Sequence, residues 1–459
     1  MEKFGFEYPH QPRKTFLYEL EENWYLPLLA EHKGIPLATI KRSNFGHYDM
    51  AVNYLTSVLD EAAAVNKVAI YNIDHMAQIR FWGRDAGAVL DRALAGNISQ
   101  MKVGACKYTL LLNDSGGVED DMIMMRASDT EFIMVINAGH DITATVEING
   151  VQQELIADID RVMRQKRDDE EIWAEDISND LVKVDIQGPL SFKLIKEVFG
   201  ADVLKNRNNP DKNMSFFTFN EVELDGHKYY FSRTGYTNRW GWECYLPAAK
   251  AAEDFKKIVS LALEWGGLLV GLGGRDENRI SAGAVGLPLM GSEYDPQHTP
   301  INAPLFEAAV DMEKPWFVGK EALQKELAAG TQKGLVICIS EGIASQRGVY
   351  LDGKRLGSIT SSINSPNLTH AKRLALGSTR KNVVDPQGTA AIGLAWLYNI
   401  PAMNMGLAEG DAVGAHLMVD LYREDATGQP TGSPLKAYLS TAGVSPATSH
   451  KALKNIENL

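Results

Sequence analysis

The residues with the clearest potential for chemistry are three adjacent carboxylates, Glu119, Asp120 and Asp121. They follow a glycine turn at Gly116 and Gly117 and precede an apolar run, a pattern that predicts two strands joined by a tight turn. Adjacent carboxylates repel one another, and a buried one acquires a raised pKa that suits it to handling protons. A hairpin with a solvated acidic shoulder fits the same spacing, so the residues alone leave both interpretations open.

Glu243 is the one charged residue in a run of large apolar ones. A buried carboxylate must be paired, and a flat, amidine-like edge that offers two N–H donors would suit it. The alternative is an edge-strand glutamate that pairs with Arg233 or Arg239. Nearby aromatic residues predict a wall for a flat heterocycle, formed by Tyr236, Trp240, Trp242 and Tyr245.

Arg275 lies where a glycine doublet enters a predicted helix, and it is placed to clamp a carboxylate. A surface ion pair with Asp276 or Glu277 would explain it equally well. The segment 271–283 is neither G-x-G-x-x-G nor a P-loop, so it does not indicate nucleotide binding. The histidines are scattered without the spacing of a ligand set, and we predict no metal site.

Composition narrows the class of protein. The chain has 459 residues and a formal net charge of -13, which disfavours nucleic acid as a partner. Apolar runs fall short of the ~20 residues that a membrane span requires, and the start of the chain lacks an apolar signal core. Three cysteines exclude a disulfide framework. We therefore expect a cytoplasmic protein with no membrane partner.

The predicted elements mix short strands and medium helices without a βαβ rhythm, which indicates an α+β fold. Predicted helices cover residues 55–65, 86–95, 189–199 and 248–265, and predicted strands cover 107–112 and 132–136. Asp-Gly turns predict hairpins at 222–231 and 349–359, and further strands at 334–340, 391–397 and 415–422 suggest a C-terminal β-barrel. The expected domains are residues 1–330, residues 331–445 and a polar tail at 446–459.

An ordered set of motifs resembles the folate-dependent aminomethyltransferase family, whose founding member is the T-protein of the glycine cleavage system. The resemblance runs from about residue 54 to 318 and resumes from 348 to 397. The matching segments are Tyr71-Asn-Ile-Asp-His-Met76, Gly116-Gly-Val-Glu-Asp-Asp121, Val135-Ile-Asn-Ala138, Gln187-Gly-Pro189, Arg233-Thr-Gly-Tyr-Thr237, Gly241-Trp-Glu243, Gly273-Gly-Arg-Asp276 and Thr360-Ser-Ser-Ile-Asn-Ser-Pro366.

This resemblance implies a three-domain cloverleaf: two intertwined α+β domains, numbered here as 1–330, bind tetrahydrofolate in a central hole, and a C-terminal β-barrel follows. It implies that Asp121 is the catalytic aspartate and that Glu243 takes the N3–H and 2-amino group of the pterin. Further residues are expected around the ligand, namely Tyr108, Asn137, Tyr236, Trp242 and Arg275. Tyr236 is also a candidate general acid.

Departures from the family pattern concern the donor side. Asp74 introduces a carboxylate there, and His75, His47 and Tyr48 are further donor-side candidates. An extra stretch at about 369–389 lengthens the chain. On these departures we expect a tetrahydrofolate-dependent demethylase that transfers a methyl or methylene group from a small methylated compound. The alternatives are a glycine-cleavage aminomethyltransferase that docks a lipoylated carrier protein, and a non-catalytic folate-binding regulator.

Overall fold

A computed structural model describes residues 12–55, 57–148, 151–282, 286–330, 333–340, 342–365, 391–398 and 416–440. Within these residues, an antiparallel five-stranded sheet carries the acidic motif. The strand Val118–Arg126, called the acid strand below, bears Asp120 and Asp121. The strand order across the sheet is Trp173–Asp176, Ala77–Trp82, Glu131–Ile136, Val118–Arg126 and Cys106–Leu112.

A second, six-stranded sheet carries the predicted glutamate. Its central strands are Leu181–Gln187, the lysine strand, and Gly241–Pro247, the glutamate strand, which pair antiparallel. The full order in this part of the structure is Phe219–Leu224, His227–Ser232, Gly241–Pro247, Leu181–Gln187, Ala69–Asn72 and Leu268–Leu269. The predicted hairpin at 222–231 is confirmed, because Asp225 and Gly226 adopt φ values of 51° and 75° at its turn.

Helices cover one face of the six-stranded sheet. Phe255, Ile258 and Val259 of the helix Ala248–Glu264 are buried against it, which confirms the predicted apolar face. The helix predicted to begin at Pro189 begins instead at Ser191 and ends, as expected, before Gly200. The other α-helices among the described residues are Tyr18–Leu20, Leu26–Lys33, Val58–Ala63, Ala86–Ala93, Asp158–Met163, Leu272–Ile280, Phe306–Ala309 and Lys320–Ala329.

The helix Leu272–Ile280, the arginine helix, is fixed at its start by a buried carboxylate. Glu61 accepts hydrogen bonds from the backbone N–H groups of Tyr54 (2.6 Å), Leu55 (2.5 Å) and Gly271 (3.0 Å). A buried backbone donor left without an acceptor is costly, so one side chain here holds two chain segments together. This contact places Arg275 one turn into the helix.

A closed six-stranded barrel follows residue 333. Its order in the described chain is Gly334–Ser340, Ala391–Leu397, Lys354–Asn364, Gly348–Leu351, His416–Glu424 and Pro430–Ser440. Arg279 of the arginine helix joins the barrel to the rest of the protein by bonding Glu293 (2.7 Å) and Ser361 (2.6 Å). The motif beginning at Thr360 is therefore a structural contact.

Short pieces complete the described chain. A π-helical turn, Glu21–Tyr25, and two 3₁₀ turns, Ala64–Asn66 and Asp202–Leu204, accompany two-stranded sheets. These sheets pair Lys41–Phe45 with Tyr48–Asn53, Ala144–Ile148 with Val151–Leu155, and Lys205–Asn206 with Asn209–Asn213. Within the residues that can be described, none of the helices combines the length and apolar character needed to cross a membrane. The expected extra stretch at 369–389 and the tail at 446–459 lie outside the described residues.

The mixed α and β content confirms the coarse fold prediction. The cloverleaf arrangement and the domain boundaries at 330 and 445 stay predictions.

Candidate active site

A cavity of 550 Å³ is lined by residues of both sheets. Asp121 reaches it from the five-stranded sheet and Glu243 from the six-stranded sheet. Tyr108, Asn137 and Arg275, which the family resemblance places around the ligand, also line it. Apolar surface dominates the walls, as is usual for a site that takes a small organic molecule.

Two side chains hold the Asp121 carboxylate. The hydroxyl of Tyr108 donates to Oδ2 at 2.9 Å, and the amide of Asn137 donates to Oδ1 at 2.7 Å. Burial raises the pKa of Asp121 to about 7, and the neighbouring Asp120 carboxylate adds to this rise. The arrangement is an oriented carboxylate at the wall of a largely apolar cavity, suited to stabilising positive charge.

Glu243 is paired with a lysine that sequence reasoning missed. Lys183 Nζ lies 2.7 Å from Oε2 of Glu243, and the lysine side chain is only 1% exposed. The alternative of an edge-strand glutamate is wrong, because the glutamate strand is internal to its sheet. The counter-charge comes from Lys183 and not from Arg233 or Arg239. Oε1 of Glu243 has no hydrogen-bond partner among the described residues, which leaves an acceptor facing the cavity.

Asp185 is a second buried acid that the sequence analysis missed. It lies opposite Glu243 in the register of the two central strands, and the side chain of Gln187 donates to its Oδ1 at 2.6 Å. Burial raises the pKa of Asp185 to about 8, and the charge of Glu243 adds to this rise. Alternating residues of the lysine strand thus place Lys183, Asp185 and Gln187 on one face.

Arg275 and Tyr236 form the boundary with a second cavity of 240 Å³, whose lining includes both residues. The guanidinium lies 4.8 Å from the centre of the Tyr236 ring, and its buried Nε lacks a partner among the described residues. The Tyr236 hydroxyl donates to the carbonyl of Pro288. Burial raises the pKa of Tyr236, which disfavours the general-acid role considered for it.

The structure places Trp242 outside the cavity, contrary to the prediction. Its side chain is 1% exposed and packs against Phe192, with ring centres 5.8 Å apart. Successive side chains of a strand point to opposite faces, so Trp242 must face the helical core when Glu243 faces the cavity. The predicted aromatic wall is therefore reduced to Tyr236.

Of the four predicted donor-side residues, His75 lines the cavity. Its pKa lies well below the ordinary value because of burial. Asp74 instead holds the N-terminal segment, since it accepts from the backbone N–H groups of Phe16 (2.8 Å) and Lys183 (3.2 Å). His47 lies at the turn of the hairpin 41–53, and Tyr48 stacks beneath the guanidinium of Arg13. These three residues do not line either cavity.

Asp74 should make stability depend on pH. Burial raises its pKa to about 7, above the ordinary value of 3.8. Between these values the native protein keeps a proton that the unfolded chain has lost, so the contribution of Asp74 to the free energy of unfolding falls as the pH rises towards 7. Each pH unit is worth about 1.4 kcal/mol at most.

We expect the wild-type free energy of unfolding, minus that of Asp74→Asn, to decrease from about pH 5 to about pH 8. Chemical denaturation at both pH values checks this, with Asp176→Asn as a control at a more exposed carboxylate. A difference that stays constant with pH would contradict the prediction.

Comparison with known proteins defines the family. Residues 39–314 match the GCVT N-terminal domain family, and the chain belongs to it. An aminomethyltransferase of Desulfitobacterium hafniense (strain DSM 10664 / DCB-2) is 31% identical over 355 residues, covering 76% of this chain and 88% of the relative. One of Corynebacterium jeikeium is 32% identical over 370 residues, with the same coverage of 76% and 88%.

A solved structure, the glycine cleavage system aminomethyltransferase T from Bartonella henselae, shares the fold. The TM-score is 0.67 at 22% identity, and the match covers 95% of this chain and 99% of that one. Family membership confirms the predicted class: the protein is a tetrahydrofolate-dependent transferase. The alternative of a non-catalytic folate-binding regulator is therefore wrong.

The predicted demethylase activity is wrong. That prediction depended on the donor-side departures. The relatives just described match three quarters of this chain, and both are named aminomethyltransferases. The physical basis fails as well, because Asp74 is bound to backbone N–H groups and is not presented to a donor. The alternative that the sequence analysis kept, an aminomethyltransferase, is the one these relatives favour.

Proposed function

We propose that this protein transfers the methylene carbon of an aminomethyl group from a lipoyl-bearing carrier protein to tetrahydrofolate. The observation that supports this most directly is the shared cavity, which takes Asp121 from one sheet and Glu243 from the other. One carboxylate is then available for the edge of the pterin and another for the nitrogen that receives the carbon. The names of the relatives, aminomethyltransferase and glycine cleavage system aminomethyltransferase T, support the aminomethyl donor.

Glu243 and Arg275 are the residues proposed to hold the folate. The free Oε1 and the lysine-bound Oε2 of Glu243 together match two parallel N–H donors of a pterin, since each carboxylate oxygen can accept two hydrogen bonds. The unpartnered buried Nε of Arg275 points to an acceptor on the ligand. Tetrahydrofolate, when bound, supplies two nitrogens that take up the methylene carbon. The protons displaced from these nitrogens leave with the two other products, ammonia and the thiol of the carrier.

Asp121 provides the electrostatic contribution. Tyr108 and Asn137 fix both of its oxygens, so the carboxylate needs no reorganisation when positive charge develops beside it. The apolar walls exclude water and strengthen this interaction. We also propose the three-domain cloverleaf arrangement, which the likeness in fold to the Bartonella henselae structure supports.

The test combines binding and product analysis. Isothermal titration calorimetry with tetrahydrofolate should give saturable heat. With tetrahydrofolate and an aminomethyl-loaded lipoyl carrier protein, the protein should release ammonia and form 5,10-methylenetetrahydrofolate in equal amounts. The same mixture without this protein should give neither product rapidly. Folate binding without ammonia release would overturn the proposed reaction, and absence of folate heat would overturn the proposed site.

A further inference from the structure

A second polar cluster lies behind Asp121 and is not explained by the proposed reaction. Asp120 is on the acid strand, His140 follows the strand Glu131–Ile136, and Asp158 is the first residue of the helix Asp158–Met163. The backbone N–H of Asp158 donates to the carbonyl of His140 at 2.9 Å, which holds the two segments together. Asp120 and Asp158 are both 0% exposed.

The oxygens of Asp158 carry the argument. Both Oδ1 and Oδ2 are buried and lack a hydrogen-bond partner among the described residues. A fully buried carboxylate without a hydrogen bond is costly unless positive charge lies beside it, so the site calls for a cation next to Asp158, either a protonated His140 or a bound ion. Nδ1 of His140 lies 3.6 Å from Oδ1 of Asp158, and Nε2 lies 3.8 Å from Oδ1 of Asp120.

Neither separation is that of a hydrogen bond, and because one metal ion can bind only one imidazole nitrogen, a shared site would take one nitrogen of His140 with one oxygen of each aspartate. Both separations exceed normal N–H···O distances, which are about 2.7–3.2 Å. One ligand atom from each residue forms a set in which all three atoms lie within 4.8 Å of one another. Ligands at about 2.0–2.2 Å from a common ion fall within that limit.

Neighbouring cations are already engaged. Arg161 forms an ion pair with Glu119 at 2.7 Å, and Arg13 forms one with Asp141 at 2.7 Å. Asn137 donates to Asp120 and contributes no charge. In the described part of the chain, His140 is thus the one side chain of the cluster able to carry positive charge against two buried carboxylates.

We propose that Asp120, His140 and Asp158 bind a divalent first-row transition metal ion such as Zn²⁺. One imidazole nitrogen and two carboxylate oxygens form a ligand set that such ions accept, whereas Mg²⁺ and Ca²⁺ prefer oxygen alone. The metal would fix Asp120, which accepts from the Asn137 backbone (3.1 Å) and side chain (2.8 Å). Because Asn137 also holds Asp121, the site is a positioning device for the active carboxylate.

The experiment titrates metal-free wild-type protein with Co²⁺ and records the visible absorption of the bound ion. We expect stoichiometric binding with the spectrum of a nitrogen- and oxygen-ligated site, and displacement by Zn²⁺. Asp158→Asn should weaken Co²⁺ binding by roughly 10²-fold or more. Asp254→Asn is the matched control, because Asp254 is also buried but bonds Tyr229 in another part of the protein.

Three outcomes would overturn the metal site: no stoichiometric Co²⁺ binding by wild type, unchanged affinity in Asp158→Asn, or an equal loss in Asp254→Asn. If wild type binds no Co²⁺, a protonated His140 is the positive charge that balances Asp120 and Asp158. Circular dichroism verifies folding, and His140→Gln serves as the second ligand variant if Asp158→Asn does not fold. Calorimetry of tetrahydrofolate with metal-free wild-type protein separates this proposal from the function, since folate heat without metal binding refutes the metal site alone.

Discussion

Asp121→Asn should lower the rate of aminomethyl transfer by ~10²-fold or more while tetrahydrofolate still binds. The amide has the shape of the carboxylate and can remain between Tyr108 and Asn137, but it lacks the negative charge that faces the cavity. The loss should therefore appear in kcat, because the interaction is made with charge that develops during the reaction. Steady-state kinetics with a loaded carrier protein measure it.

Glu119→Gln is the control for this variant. Glu119 is on the same strand but forms an ion pair with Arg161, at 2.7 Å. It should keep turnover close to that of wild type. If Asp121→Asn retained wild-type kcat, the assignment of Asp121 as the active carboxylate would fail; if the variant lost folate affinity alone, Asp121 would be a binding residue.

The sequence pattern singled out the two principal carboxylates but left their roles open, and only the resemblance to a family assigned those roles. Asp121 follows a glycine turn among like charges, and Glu243 lies among large apolar residues. Whether the two carboxylates share a cavity depends on which strands pair. The motif order predicted a shared site only through the resemblance to a family. The structure brings them together through two separate sheets.

Lys183 and Asp185 escaped prediction for a physical reason. They alternate with Val182, Val184 and Ile186, which is also the pattern of a strand with one solvent-exposed face. Here that face is turned to the inside, and only the register that sets Asp185 opposite Glu243 reveals it. A test of strand alternation would have excluded Trp242 from the cavity, since it adjoins Glu243.

Asp74 shows the opposite failure. Its departure from the family motif suggested a carboxylate on the donor side, yet this carboxylate binds the backbone of Phe16, which is distant in the chain. Contacts between an N-terminal segment and a strand end are not encoded in local periodicity, so a sequence pattern cannot separate a bound carboxylate from an available one.

Glu243→Gln should weaken tetrahydrofolate binding by about 2–5 kcal/mol, the range for breaking a buried, hydrogen-bonded charge pair. Glutamine keeps one oxygen that can accept from Lys183, so the fold should survive. Its amide nitrogen then presents N–H groups to a pterin edge that also presents N–H groups, and it leaves the Lys183 charge unneutralised in a buried position. Both effects oppose binding, and calorimetry measures their sum.

Glu221→Gln provides the matched control, because Glu221 pairs with Lys228 at 2.7 Å across an outer hairpin of the same sheet. It should leave the folate dissociation constant unchanged. Lys183→Met separates the two contributions to the Glu243→Gln effect. If the lysine acts mainly by holding the Glu243 carboxylate in place, its loss should weaken folate binding, and the double variant should lose less than the sum of the single losses. Equal folate affinity in Glu243→Gln and wild type would contradict the proposed pterin contact, because no other described carboxylate on the glutamate strand lines the cavity.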